Sequence, residues 1–214
     1  MTDDHEAELE HAEHGHHQHE HRPIDYTDAI EQFRAEKDAF FKASLGSPIP
    51  EPEREAFSGL PYYPVDPTLR FEDLTLEPYT GNEPSNFQIP TSDGKLRAAH
   101  RAGILVFELG GERHTPLGGD RHTLTAYTFD GGDGASLFVP FLDPGSGTET
   151  YGAGRYLDLE PEDDGTYTLD FNVAYHPSCV YDLRFSCPLT PRENRLPIRI
   201  QAGERLPAAS TLAS

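Results

Sequence analysis

SLFVPFLDPGSGTETYGAGRYLDLEPEDDGTYTLDFNVAY, residues 136–175, holds three short apolar runs separated by glycine-rich and acidic stretches. SLFVPF, RYLDL and TYTLDFNVAY have strand length and are rich in aromatic and branched side chains, while DPGSG and EDDG supply the turns between them. The same grammar continues on both sides. FEDLTL, NFQIP, KLRAAHRAGILVFEL and HTLTAYTF lie upstream and LPIRI downstream, with SDG, LGG and DGGDG as further breaks. Eight such runs predict a mainly β domain, an antiparallel barrel or sandwich.

One helix is predicted to pack on it. Over residues 26–44, Tyr26, Ile30, Phe33, Phe40 and Phe41 approximate a helical stripe, with Lys37 completing the spacing. Asp25 is placed to cap its start and Gly46 to end it, with Pro48 beyond. Residues 46–67, GSPIPEPEREAFSGLPYYPVDP, read as an extended proline-rich strap with Leu60, Tyr62, Tyr63 and Val65 on the core surface.

Composition narrows the partners. The chain has 214 residues, 37 acidic against 17 basic, for a formal charge of -20. Such a surface repels phosphate backbones and anionic membranes, so neither nucleic acid nor a membrane is expected as partner. Lys37, Lys42 and Lys95 are the only lysines, and so large an excess of carboxylate suits a surface kept hydrated in concentrated salt, as in a halophile. The acidic, His-rich start lacks a basic segment followed by an apolar one, and a cytoplasmic location is expected.

Residues 1–22 carry seven of the eleven histidines and seven acidic residues, with Met1 and Leu9 as their large apolar side chains. They cannot bury enough surface to offset the entropy of ordering, so a disordered tail is expected, as it is for residues 209–214. A single domain over residues 23–208 is the predicted organisation. Clustered imidazoles at His11, His14, His16, His17, His19 and His21 would chelate zinc, nickel or copper by ligand density alone. A divalent transition metal on this tail is the cofactor the sequence suggests.

Two segments of the domain concentrate polar chemistry. In GTETYGAGRYLDL, residues 147–159, glycines that permit close backbone approach surround Glu149, Tyr151, Arg155 and Tyr156. That is the composition of a well-packed hairpin or of a polar pocket. GAGRYL lacks the third glycine and the βαβ setting of a dinucleotide loop. In the second segment, from Leu169 onward, Asp170 and Asn172 would share one strand face, followed by Tyr175, His176, Cys179, Cys187, Asn194, Arg195 and Glu204. His176, Cys179 and Cys187 raise zinc ligation, a disulfide or ordinary packing as readings, because H-x2-C-x7-C has no evident fourth ligand.

These two segments, with KDAFF, SPIP and GLPYYPVDP, resemble the family called domain of unknown function 1684, over roughly residues 33–205. The resemblance implies that Asp143, Glu149, Tyr151, Arg155, Tyr156, Asp170, Asn172, Tyr175, Asn194, Arg195 and Glu204 belong to a recurring motif. It implies no activity. It also implies asparagine as the usual residue where this chain has His176.

The expected site joins both segments. Arg155 and Arg195 would hold the anionic group of a small molecule, with Tyr151, Tyr156, Tyr175, Asn172, Asn194 and Glu204 lining it. Glu149 or Asp170 would act as hydrogen-bond acceptor or general base if a reaction occurs. The alternatives are metal handling by the tail, and a structural or interaction module in which the arginines are consumed by internal pairs.

Overall fold

The computed structural model describes residues 25–109, 119–131 and 134–207. The first element is helix α1, Tyr26–Ala43, whose N-cap Asp25 accepts the Thr27 N–H at 2.9 Å. It stops three residues before Gly46, because the Ser44 N–H bonds the Phe40 carbonyl and the chain then turns extended. Ile30 and Phe41 are buried, whereas Phe33 and Phe40 are 43% and 48% exposed, so the packed stripe is narrower than the apolar pattern.

Seven strands follow: β1 Arg70–Leu74, β2 Asn86–Pro90, β3 Leu96–Leu109, β4 Asp120–Phe129, β5 Leu137–Phe141, β6 Arg155–Leu159 and β7 Tyr167–Asp170. β2-β3-β4-β5-β6 form one antiparallel sheet, and β1 pairs with β7 in a second. The two do not close into a barrel. The architecture is a sandwich, with Leu105, Leu124, Val139, Leu157, Leu169 and Phe171 in the main core. The other face of the large sheet carries a separate aromatic cluster of Tyr127, Phe138 and Tyr156, with Phe87, Phe129 and Tyr175 against it. This double covering is why every residue of β5 is buried.

Two sequence expectations need correction. LPIRI is not a strand: the Ile200 N–H donates to Asp143 at 2.8 Å, and its carbonyl accepts from Arg155 at 2.8 Å. Side chains satisfy that backbone where a neighbouring strand would otherwise be required. TYTLDFNVAY ends as a strand at Asp170, whose carboxylate accepts the Asn172 N–H at 2.9 Å and turns Phe171–Val173 into a short 3-10 helix. Asp170 and Asn172 therefore do not alternate on one strand face.

Candidate functional site

Gly154 brings the first polar segment into the interior. Its φ is +106°, and a Cβ there would lie 2.5 Å from the Phe141 carbonyl oxygen and 2.4 Å from the Thr190 hydroxyl. No other residue type fits that approach to β5. The next side chain, Arg155, is only 1% exposed. It donates to the carbonyls of Ala202, of Glu204 at 3.2 Å and of Ile200 at 2.8 Å, and lies 3.5 Å from the Asp143 carboxylate. Arg155 thus binds the irregular C-terminal stretch to the sheet. Burial lowers its pKa and Asp143 opposes that shift.

The other selected residues fall into further networks. Glu149 accepts from the Tyr63 hydroxyl and from Arg199, each at 2.8 Å. Asp170 accepts from the Tyr26 hydroxyl at 2.8 Å, and Asn172 donates to that hydroxyl, to the Asp66 carbonyl and to Asp170 while accepting the Asp66 N–H. Helix, strap and β7 meet there.

Asn194 performs a different task. Its amide accepts the Thr125 N–H at 2.8 Å and donates to the Thr125 and Pro140 carbonyls, each at 2.7 Å. Strands β4 and β5 pair through Tyr127 and Phe138, and Pro140 has no N–H to extend the ladder, so a fully buried side chain completes the join. The neighbouring Arg195 is exposed and makes no ion pair among the described residues. Its backbone bridges Leu142.

Glu204 is 1% exposed. Its Oε2 accepts the His176 backbone N–H at 2.7 Å and the Tyr181 hydroxyl at 3.0 Å. Lys37 Nζ stands 2.6 Å from Oε1, at ion-pair distance but off the hydrogen-bonding direction. The ammonium also rests over the Tyr175 ring at 4.8 Å and the Phe41 ring at 5.5 Å. His176 Nε2 accepts the Tyr151 N–H at 3.2 Å, which puts the proton of the neutral ring on Nδ1, 3.6 Å from Glu204.

Burial, aided by Arg155 and Lys37, pulls the His176 pKa down to about 3. The folded state holds this ring neutral while the unfolded chain protonates it, so stability is present above the ordinary value of 6.5 and is lost as pH falls toward about 3. His176→Asn should therefore flatten urea-measured stability against pH in that window by roughly 1.4 kcal/mol per pH unit. An unchanged slope would remove His176 as the cause.

Tyr156 donates its hydroxyl to the Pro188 carbonyl, and Tyr175 donates to Asp158. Tyr151 stands with its hydroxyl 4.0 Å from Cys179 Sγ. Cys179 and Cys187 are free, buried thiols, with the Cys179 N–H 3.3 Å from Cys187 Sγ. Among the described residues no three His, Cys, Asp or Glu side chains gather as a metal site. The tail histidines His11, His14, His16, His17, His19 and His21 lie outside the described residues, as do residues 209–214.

Three grooves border these networks. An apolar one of about 770 Å³ runs between the strap and the C-terminal stretch, past Phe57, Leu60, Val180 and Leu206, and reaches His176, Tyr181 and Glu204. A polar one of about 870 Å³ is lined by Tyr63, Thr148, Glu149 and Gln201. Arg205 borders both. The third, of about 780 Å³, opens on the aromatic cluster. Arg155 and Arg195 line none of these three.

Sequence reasoning singled out neither Lys37 nor Arg205 for the site. Lys37 completes the spacing of the helical stripe and Arg205 closes the stretch of family resemblance, and neither position by itself names the buried carboxylate or the groove that the side chain reaches.

Residues 55–205 match the family described as "Protein of unknown function (DUF1684)". The chain belongs to this family. The DUF1684 match runs from the strap to Arg205 and so spans both polar segments, while Tyr26 and Lys37 of α1 lie before it. A solution NMR structure of an uncharacterised Haloarcula marismortui protein is similar, with 38% identity and a TM-score of 0.60 over 83% of this chain and 92% of that one. No curated protein matches the chain. No helix of the described residues is long and apolar enough to cross a membrane.

Proposed function

We propose that this DUF1684 domain binds a small organic anion with an apolar body, seated in the groove between the strap and the C-terminal stretch. Arg205 carries the reading. It is half-buried, its Nε is enclosed without a hydrogen-bond partner, and its guanidinium makes no ion pair among the described residues. A cation without an ion-pair partner beside an apolar wall is the arrangement that receives a carboxylate or phosphate head while the walls take the rest of the molecule. The anionic ligand expected from the sequence is retained, with Arg205 as its receiving group, because Arg155 is occupied by internal acceptors.

Binding without chemistry is the simpler form of the proposal. Glu149 and Asp170 already accept from protein donors, as does Nε2 of His176 at the groove. The acid-rich surface, with its three lysines, is proposed to serve solubility in concentrated salt.

Octanoate titrated by calorimetry into the full chain, with octanol as the uncharged control, tests the reading. Octanoate should bind more tightly than octanol, and Arg205→Gln should weaken octanoate by roughly tenfold or more, the equivalent of losing a charged hydrogen bond. Equal affinities for octanoate and octanol, or an unaffected variant, would sink it.

A further inference from the structure

The aromatic groove on the outer face of the large sheet has a composition that suits a different ligand. Its floor is Phe138 and Tyr156, packed edge to face with ring centroids 4.7 Å apart, and Tyr175 stands against Tyr156 at 5.7 Å. Asp130, Asp158 and Glu160 border the same space, against Arg97 as its single basic lining residue among the described residues.

Arg97 is already engaged. Its guanidinium lies 3.8 Å from the centre of the Phe129 ring. At the other end Lys37 approaches the Tyr175 ring, so the cluster receives the protein's own cations on both sides. Phe138 and Tyr156, between them, carry no cation among the described residues. The electron-rich face of an aromatic ring attracts a cation, and does so more strongly where water is displaced. Three carboxylates around such rings add charge complementarity. An anion would meet repulsion there, and an uncharged apolar molecule would gain nothing from the carboxylates.

We propose that this groove binds an organic cation of the alkylammonium class, with the ammonium against Phe138 and Tyr156 and Asp158 as its counter-charge. Tyr175 positions that carboxylate by donating its hydroxyl to it. The site is separate from the Arg205 groove and takes a ligand of opposite charge, so either proposal can fail without the other.

The test is an NMR titration of the full chain with choline and with its uncharged isostere, in which carbon replaces the ammonium nitrogen, at constant ionic strength. Choline should shift the amides of residues 156–160 and bind roughly fivefold or more tightly than the isostere. Asp158→Asn should weaken choline by a similar factor. Glu160→Gln, at an exposed position, should weaken it less and serves as the second variant if D158N does not fold. Equal affinity for choline and its isostere, shifts confined to other regions, or undiminished choline binding in folded D158N or E160Q would overturn the proposal.

Discussion

Arg155→Met is expected to destabilise the domain by about 3–5 kcal/mol in urea unfolding, which is the usual cost of removing one partner from a buried ion pair. The guanidinium satisfies carbonyls at Ile200, Ala202 and Glu204 and faces the buried Asp143 carboxylate. Methionine roughly fills the volume but donates nothing. Three carbonyls and one carboxylate would then lose their donor in a region closed to solvent. Asp143 would keep the Ile200 N–H and the Ser146 hydroxyl, so the loss is partial.

The damage should be local at first. Amide exchange at Ile200 should accelerate before the sheet opens, because that N–H is held by the carboxylate Arg155 neutralises. Pairing R155M with Asp143→Leu should cost less than the two single losses together, since no uncompensated carboxylate remains. If R155M has native stability, Arg155 is not the fastening that holds the C-terminal stretch, and its donors would be open to a ligand after all.

Asn194→Leu has the second large expected effect, about 2–4 kcal/mol, from the buried donor and acceptors it would leave unmatched. Leucine is similar in size, yet it abandons the Thr125 N–H and the carbonyls of Thr125 and Pro140. Those groups cannot pair with each other, because the strands on either side are held apart by the amide itself. Loss of stability together with faster exchange of the Thr125 amide would confirm the role. Native exchange at Thr125 would contradict it. Arg195→Ala, one residue on, is a contrasting control because that side chain is exposed and makes no ion pair among the described residues.

Much of the scaffold was legible. Short runs of branched and aromatic residues recur in β2 to β6, with glycine and acidic residues in the turns between them, so local chemistry and final structure agree. The start of α1 was legible from Asp25 for the same reason, since an N-cap acts within its own turn. LPIRI misled because its alternating apolar residues do face the interior, but Asp143 and Arg155 take the place of a paired strand. The pattern reports burial and says nothing about who satisfies the backbone.

The polar segments show the same boundary. Residue types alone located the places where Arg155, Asp170, Asn172, Asn194 and Glu204 would matter, because polar side chains between apolar runs must find partners wherever they are enclosed. Their partners are 28 or more residues away in several cases: Glu204 with His176, Asn194 with Thr125, Asn172 with Asp66. An arginine in a sequence carries the same charge whether it faces three carbonyls or a ligand.

The sequence by itself determined the class of fold, the turns at SDG, DPGSG and EDDG, the helix start and the two stretches rich in polar side chains, all of which follow from interactions within a few residues; LGG and DGGDG fall wholly or partly outside the described residues. Tertiary structure alone decided that Arg155 fastens the interior while Arg205 lines a groove wall without an ion pair among the described residues, and that the aromatic cluster has carboxylates at its rim. Those outcomes depend on which distant groups arrive at hydrogen-bonding distance, and that is set by the packing of the sheets, the strap and the helix around one another.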